Sequence, residues 1–249
     1  MKKIKHPYGN IKSFLLKFFK NLIQNQLKFF VGFIFKLDKY DEIIISPATH
    51  APWKKDEEFN NFYKNIKHLT LLDPPRSYTL WQCVKNLKYI NGQILDIGCL
   101  MGGAGFLMSK KNKKGNTYLF DSFSGFKKDD GLHKKDVFNY SNIDLVKKNI
   151  KKFKLKNTYV FKAYFPKNIK VKIHKIKLCH IDVNTYYDTK IIFNSVNKKI
   201  IKGGVVIFDD FGIWGVDGVK KFIYNIERKY FKEYHFVKNY MGQCILIKK

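Results

Sequence analysis

The residues able to do chemistry gather in three short segments. The first, Ile94-Leu-Asp-Ile-Gly-Cys-Leu-Met-Gly-Gly-Ala-Gly105, runs from an apolar stretch into Gly98, Gly102, Gly103 and Gly105. Glycines tolerate a tight turn and let backbone approach a ligand, and a helix starting there offers free amide groups. The spacing Gly-x-x-x-Gly-Gly-x-Gly departs from the dinucleotide fingerprint, which favours an adenosyl cofactor without a pyrophosphate over a nicotinamide or flavin. A plain glycine turn in an ordinary α/β domain is the alternative. The second segment ends the apolar run Tyr118-Leu-Phe120 with Asp121, where a carboxylate can accept both hydroxyls of a ribose. Ser122 and Ser124 follow, so a turn cap is the competing role.

The third segment is split. Asp182 stands at the tip of Leu178-Cys-His-Ile181, and Asp209-Asp210 at the tip of Val205-Val-Ile-Phe208. If both runs are parallel strands, their carboxyl ends are where ligands bind, and three carboxylates converge beside the cofactor loop. Acids crowd together at low cost only when a cation neutralises them, and an all-oxygen set suits magnesium, manganese or calcium rather than zinc. The competing reading makes Asp209-Asp210 turn caps and pairs Asp182 with a lysine.

These segments need a scaffold that places strand ends side by side, and the pattern supplies one. After Pro74-Pro75, helices are expected at 78–90, 103–112, 142–153, 189–200 and 217–230. Strands are expected at 94–97, 118–120, 158–162, 178–181, 205–208, 234–238 and 243–247, with a polar loop over 125–139. Such alternation marks an α/β fold, a mostly parallel seven-stranded sheet covered on both faces. Two strands after the last helix predict a terminal antiparallel hairpin. The expected organisation is an N-terminal helix and cap or lid over residues 1–73, and a catalytic domain over 74–249.

The formal charge of +28 would ordinarily suggest nucleic acid or an anionic membrane. Of the 48 basic residues, however, only Arg76 and Arg228 are arginines, whereas specific phosphate and base contacts favour the planar guanidinium fork. The lysines are spread among many Asn, Ile, Phe and Tyr residues, as an A/T-biased genome would produce, and no specific nucleic-acid partner is expected. Four scattered cysteines without CxxC pairing point to reduced thiols and a cytoplasmic location.

Residues 11–36 carry an apolar stripe at helical spacing, interrupted by lysines and far too short in its apolar runs to span a bilayer. It reads as an amphipathic helix that covers the domain or a homodimer partner. Eight lysines and no acid before Asp38 keep a second reading, peripheral contact with the inner membrane face.

Taken together, the segments resemble the TylF/MycF family of S-adenosylmethionine-dependent, divalent-metal-dependent sugar O-methyltransferases. The resemblance covers roughly residues 73–225. It rests on Leu95-Asp-Ile-Gly98 with Gly102-Gly103, on Tyr118-Leu-Phe-Asp-Ser-Phe-Ser-Gly125, on His180-Ile-Asp-Val-Asn-Thr-Tyr-Tyr-Asp-Thr189, and on Lys202-Gly-Gly204 with Asp209-Asp-Phe-Gly212. It implies a Rossmann-like class I methyltransferase fold, with Mg2+ or Mn2+ held by Asp182, Asp209 and Asp210. S-adenosylmethionine would be held by Asp96, Gly98, Leu100, Gly102 and Gly103 of the loop and by Asp121 and Ser122. Tyr78 and Thr79, in Arg76-Ser-Tyr-Thr79, would cover the cofactor, and Tyr164 would flank it. Two positions depart from the family: Asn184 replaces a second aspartate, and Ala163 stands where glycine is usual.

A sugar hydroxyl is a poor nucleophile at neutral pH, so its activation is the chemical problem. Asp182 is the first candidate for the base, with His180 and His133 as alternatives because imidazole titrates near neutrality. The acceptor would be a glycan or small molecule, in surface polysaccharide or secondary-metabolite synthesis. The competing functions are a nucleic-acid methyltransferase, and a non-catalytic methyltransferase-like module recruited to membranes.

Overall fold

The computed structural model describes residues 11–35, 50–125 and 137–249. Five apolar runs become parallel strands, and the central ones are buried on both faces while the edge strand β3 is partly exposed. They are β1 (Gln93–Ile97), β2 (Thr117–Asp121), β3 (Thr158–Lys162), β4 (Ile176–Ile181) and β5 (Ile200–Phe208), joined by β6 (Tyr234–Lys238) and β7 (Cys244–Lys248). The sheet order is β3-β2-β1-β4-β5-β7-β6, with β7 antiparallel to both its neighbours. The expected mixed sheet and terminal hairpin are therefore present. From β1 the chain builds outward through β2 and β3, then returns to lay β4 on the other side of β1. That reversal opens a crevice at the carboxyl ends of β1 and β4, where ligands bind in open α/β sheets.

Successive strand residues point to opposite faces. Leu95, Ile97, Cys179, Ile181, Val206 and Phe208 join one core, which Ile192, Phe193, Phe222 and Ile223 complete. Ile94, Leu178 and Ile207 join another on the opposite side, with Leu80, Val84, Ala104 and Met108. The helices supplying these residues are α3 (Pro74–Leu87) and α4 (Gly103–Lys111) on one face, and α6 (Tyr186–Val196) and α7 (Asp217–Tyr230) on the other. α5 (Ile143–Lys152) precedes β3.

Two helices begin earlier than the periodicity predicts, and caps explain both. α3 starts at Pro74 because the Asp73 carboxylate accepts from the Arg76 amide at 2.8 Å while Pro74 and Pro75 fill positions that need no amide. α6 starts at Tyr186 because the Thr185 hydroxyl accepts from the Asp188 amide at 3.1 Å. It ends at Val196, and Ile200 already belongs to β5, which is nine residues long rather than the four expected.

Residues Ala51–Lys249 form one compact unit, and Met1–His50 the other. In the larger unit, α2 (Glu57–Ile66) buries Phe59, Phe62 and Ile66 in a cluster shared with Phe106 and Leu107 of α4. Asp56 caps α2 through the Phe59 amide at 3.0 Å and also accepts from the Trp81 indole at 3.1 Å, tying α2 to α3. In the smaller unit, α1 (Ile11–Phe35) is a 25-residue helix. No described helix is long and apolar enough to cross a membrane.

The buried Lys177 of β4 donates to the carbonyls of Leu87 (3.3 Å), Ile90 (2.8 Å) and Lys114 (2.7 Å). It thereby satisfies backbone acceptors around the end of α3, while burial pushes its pKa down to about 8. All four cysteines are free, and Cys99, Cys179 and Cys244 are buried.

Candidate active site

The glycine loop joins β1 to α4, and its composition answers to the protein's own packing. A Cβ on Gly98, where φ is +89°, would stand 1.9 Å from the Asp182 carbonyl oxygen. One on Gly103 would meet the Leu69 carbonyl at 2.5 Å, and one on Gly105 would meet Leu119 at 2.6 Å and an Asp96 carboxylate oxygen at 2.8 Å. Gly102, with φ +90°, is the left-handed N-cap of α4. These residues let β4, β2 and the segment before α3 close around the start of α4, so the loop is compact before any ligand arrives.

Asp121 at the end of β2 braces this loop. One oxygen accepts from the Leu100 amide and the other from the Phe123 amide, both at 2.8 Å. Burial raises its pKa, and the Phe123 and Leu100 amides oppose that rise. A carboxylate oxygen can accept twice, so both retain capacity toward a ribose. The Ser122 hydroxyl accepts from the Ser124 amide at 3.3 Å, and the Ser124 and Tyr164 hydroxyls pair at 2.5 Å, bringing the ends of β2 and β3 together.

The segment expected to cover the cofactor is otherwise engaged. Tyr78 stacks edge-on against Phe59, with its hydroxyl 3.5 Å from Asp56, and the Thr79 hydroxyl donates back to the Pro75 carbonyl at 3.1 Å. Their neighbour Arg76 reaches the strand ends instead, donating to Asp209 at 2.5 Å and to Asp73 at 3.2 Å.

At the carboxyl ends of β4 and β5, His180, Asp182 and Asp209 each present a ligand atom within 4.8 Å of the others. Asp210 is buried beside them, within hydrogen-bonding reach of Asp182. Burial, then the charges of Asp210 and Asp209, raises the Asp182 pKa well above the usual carboxylate value. Burial and Asp209 likewise raise that of Asp210. Asp209 goes the other way: burial opposes its ionisation, but His180, Arg76 and Gln243 hold its pKa low. The Gln243 amide donates to it at 2.7 Å.

His180 is fully buried. Its Nδ1 lies 2.8 Å from an Asp96 oxygen and its Nε2 3.6 Å from Asp209. Burial would lower its pKa, but the two carboxylates carry it well above the usual imidazole value. Expected from sequence as an alternative base, the His180 ring lies between two carboxylates. Asp96 likewise belongs to this buried pair. His133, the other alternative, lies outside the described residues.

The residues fit a divalent cation. Asp210 Oδ2 is buried without a hydrogen-bond partner, and neighbouring aspartate charge helps burial to raise the pKa values of Asp182 and Asp210, against which His180 and, for Asp210, Arg76 act. The carboxylates of Asp182, Asp209 and Asp210 make an all-oxygen donor set that suits magnesium or manganese.

Three contributors were missed from sequence: Arg76, Gln243 and the partnership of Asp96 with His180. The last follows from register, because Asp96 and His180 are paired residues of β1 and β4. For Arg76 a signal existed, since an arginine among so many lysines marks a place where the bidentate fork matters.

Sheet order, glycine loop and strand-end carboxylates together define a class I methyltransferase fold, the fold of S-adenosylmethionine-dependent enzymes. Over residues 68–241 the sequence matches the macrocin O-methyltransferase (TylF) family, and the chain belongs to that family. Among solved structures it is similar to the O-methyltransferase NovP, with 17% identity, a TM-score of 0.62 and coverage of 73% of this chain and 82% of that one. The calicheamicin methyltransferase CalS11 superposes with a TM-score of 0.56 at 12% identity, over 85% of this chain and 99% of that one. An O-methyltransferase from Bacillus cereus in complex with SAH gives 0.54 at 15% identity, over 82% and 94% respectively. No curated protein sequence matches the chain.

Proposed function

We propose that this protein transfers the methyl group of S-adenosylmethionine to a sugar hydroxyl, assisted by Mg2+ or Mn2+. The observation that carries the reading is the clustering of half-buried Asp182 with buried Asp209 and Asp210 at the strand ends, beside the glycine loop, where Gly98 approaches the Asp182 carbonyl. The names of the family and of CalS11, a calicheamicin methyltransferase, support an acceptor hydroxyl on a glycosylated molecule. A precursor of bacterial surface polysaccharide or of a secondary metabolite fits this class.

In the transfer, the acceptor oxygen forms a bond to the methyl carbon, the carbon–sulfur bond breaks, and the hydroxyl proton leaves to a base. Asp182 serves as that base, and burial with the neighbouring aspartates raises its pKa, which strengthens it as a proton acceptor. Asp182, Asp209 and Asp210 would hold the cation, which supplies Lewis-acid activation of the hydroxyl and fixes its aim. Asp96 orients His180, which sets Asp209, while Arg76 and Gln243 hold the oxygens of Asp209. The loop backbone and Asp121 hold the cofactor, with Ser122 and Tyr164 at its edge.

Asp209→Ala and Asp210→Ala should each abolish methyl transfer to a glycoside acceptor while calorimetric binding of S-adenosylmethionine survives. Full activity after exhaustive chelation would overturn the metal's role. Mass spectrometry of surface glycans and small glycosides from a deletion strain would reveal the acceptor as a species lighter by one methyl group.

A further inference from the structure

α1 has a composition that the methyltransferase unit does not explain. Leu15, Phe18, Phe19, Leu22, Ile23 and Phe30 recur at helical spacing, and each is 46% to 65% exposed. So large an apolar exposure along one helix marks a contact surface. Lys17, Lys20, Asn21, Gln24 and Lys28 fall on the other side of the helix in sequence register. Eight lysines precede residue 38, and all 20 acidic residues of the chain come from Asp38 onward. The segment is thus polar and cationic, without acids, on one side and largely aromatic and aliphatic on the other.

We propose that α1 is an interfacial anchor that lies flat on an anionic phospholipid surface, its apolar side in the acyl boundary and its lysines among the headgroups. An amphipathic helix with lysines flanking Phe and Leu suits that plane, and it lacks the apolar length to cross it. Charge decides against a second copy of α1 as the occupant. Two such helices paired through their apolar sides would gather the lysines of both on one rod, with no carboxylate on either to answer them. An anionic leaflet supplies the missing negative charge, and each lysine near it strengthens binding about fivefold. An enzyme anchored this way would meet lipid-linked or membrane-proximal acceptors, a consequence that rests on the proposed methyl transfer; the anchoring itself does not.

The test is sedimentation of the full-length chain with vesicles of phosphatidylcholine alone or mixed with phosphatidylglycerol. Binding is expected to the mixed vesicles only and to weaken as salt rises. Lys12→Gln with Lys17→Gln and Lys20→Gln should weaken it on the order of a hundredfold, and Phe18→Glu with Leu22→Glu should remove it. Melting temperature and S-adenosylmethionine binding of both variants should match the parent; if the glutamate variant fails to fold, the glutamine variant carries the test. Equal binding to neutral vesicles would overturn the proposal. So would absence of vesicle binding, including the case of a salt-stable oligomer that the glutamate variant dissociates.

Discussion

At the scale of single residues, the site is a charge problem solved in pairs. Asp96 faces His180, His180 faces Asp209, and Arg76 and Gln243 hold what remains of Asp209. Because the folded pKa of His180 is raised, its stabilising contribution is fully present below the unfolded value near 6.5 and is lost as pH rises through the folded value. Metal-free His180→Gln protein should therefore melt furthest below the parent at about pH 6, by on the order of 3 kcal/mol for a broken buried pair, and the gap should narrow in alkaline buffer. A constant gap from pH 6 to 9 would contradict the pairing. The aspartates were legible in sequence because each ends an apolar run. Asp96 and His180 were not legible as a pair, since their contact depends on the register of two strands and they stand 84 positions apart in sequence.

At the scale of elements, the sheet was readable because its strands are continuous apolar runs. The helix starts were less so, because a cap such as Thr185 or the Asp73-Pro74-Pro75 sequence lies outside the periodic stretch that announces the helix. The segment before α3 was the least readable, since α2 is only ten residues long, although its buried Phe59, Phe62 and Ile66 keep helical spacing. Yet it is firmly held. Phe59 is fully buried, with the rings of Tyr63, Tyr78 and Trp81 at 5.2, 5.0 and 5.7 Å. Phe59→Ala should cost about 3–5 kcal/mol in denaturant unfolding. It should also weaken cofactor binding, because Leu69, just beyond α2, packs against Gly103 of the loop. A loss below about 1 kcal/mol would mean that α2 is not integral to the domain.

For the whole molecule, the charge of +28 is the property most open to misreading. Spread over lysines rather than gathered into an arginine-lined groove, it predicts adhesion to any polyanion at low salt. Filter binding to unrelated RNA and DNA sequences should give similar affinities, falling steeply as salt rises. A strong preference for one sequence would revive the nucleic-acid reading. The sheet carries a different consequence, one of timing. β7 is the last strand to be made, yet it lies between β5 and β6, and β6 has no other neighbour in the sheet. Until residues 243–248 have emerged, β5 presents an open edge and Asp209 lacks Gln243, which immediately precedes β7. The nascent chain thus carries its site unfinished until β7 is made, and a chain halted before Gln243 would be an aggregation hazard rather than a weak enzyme.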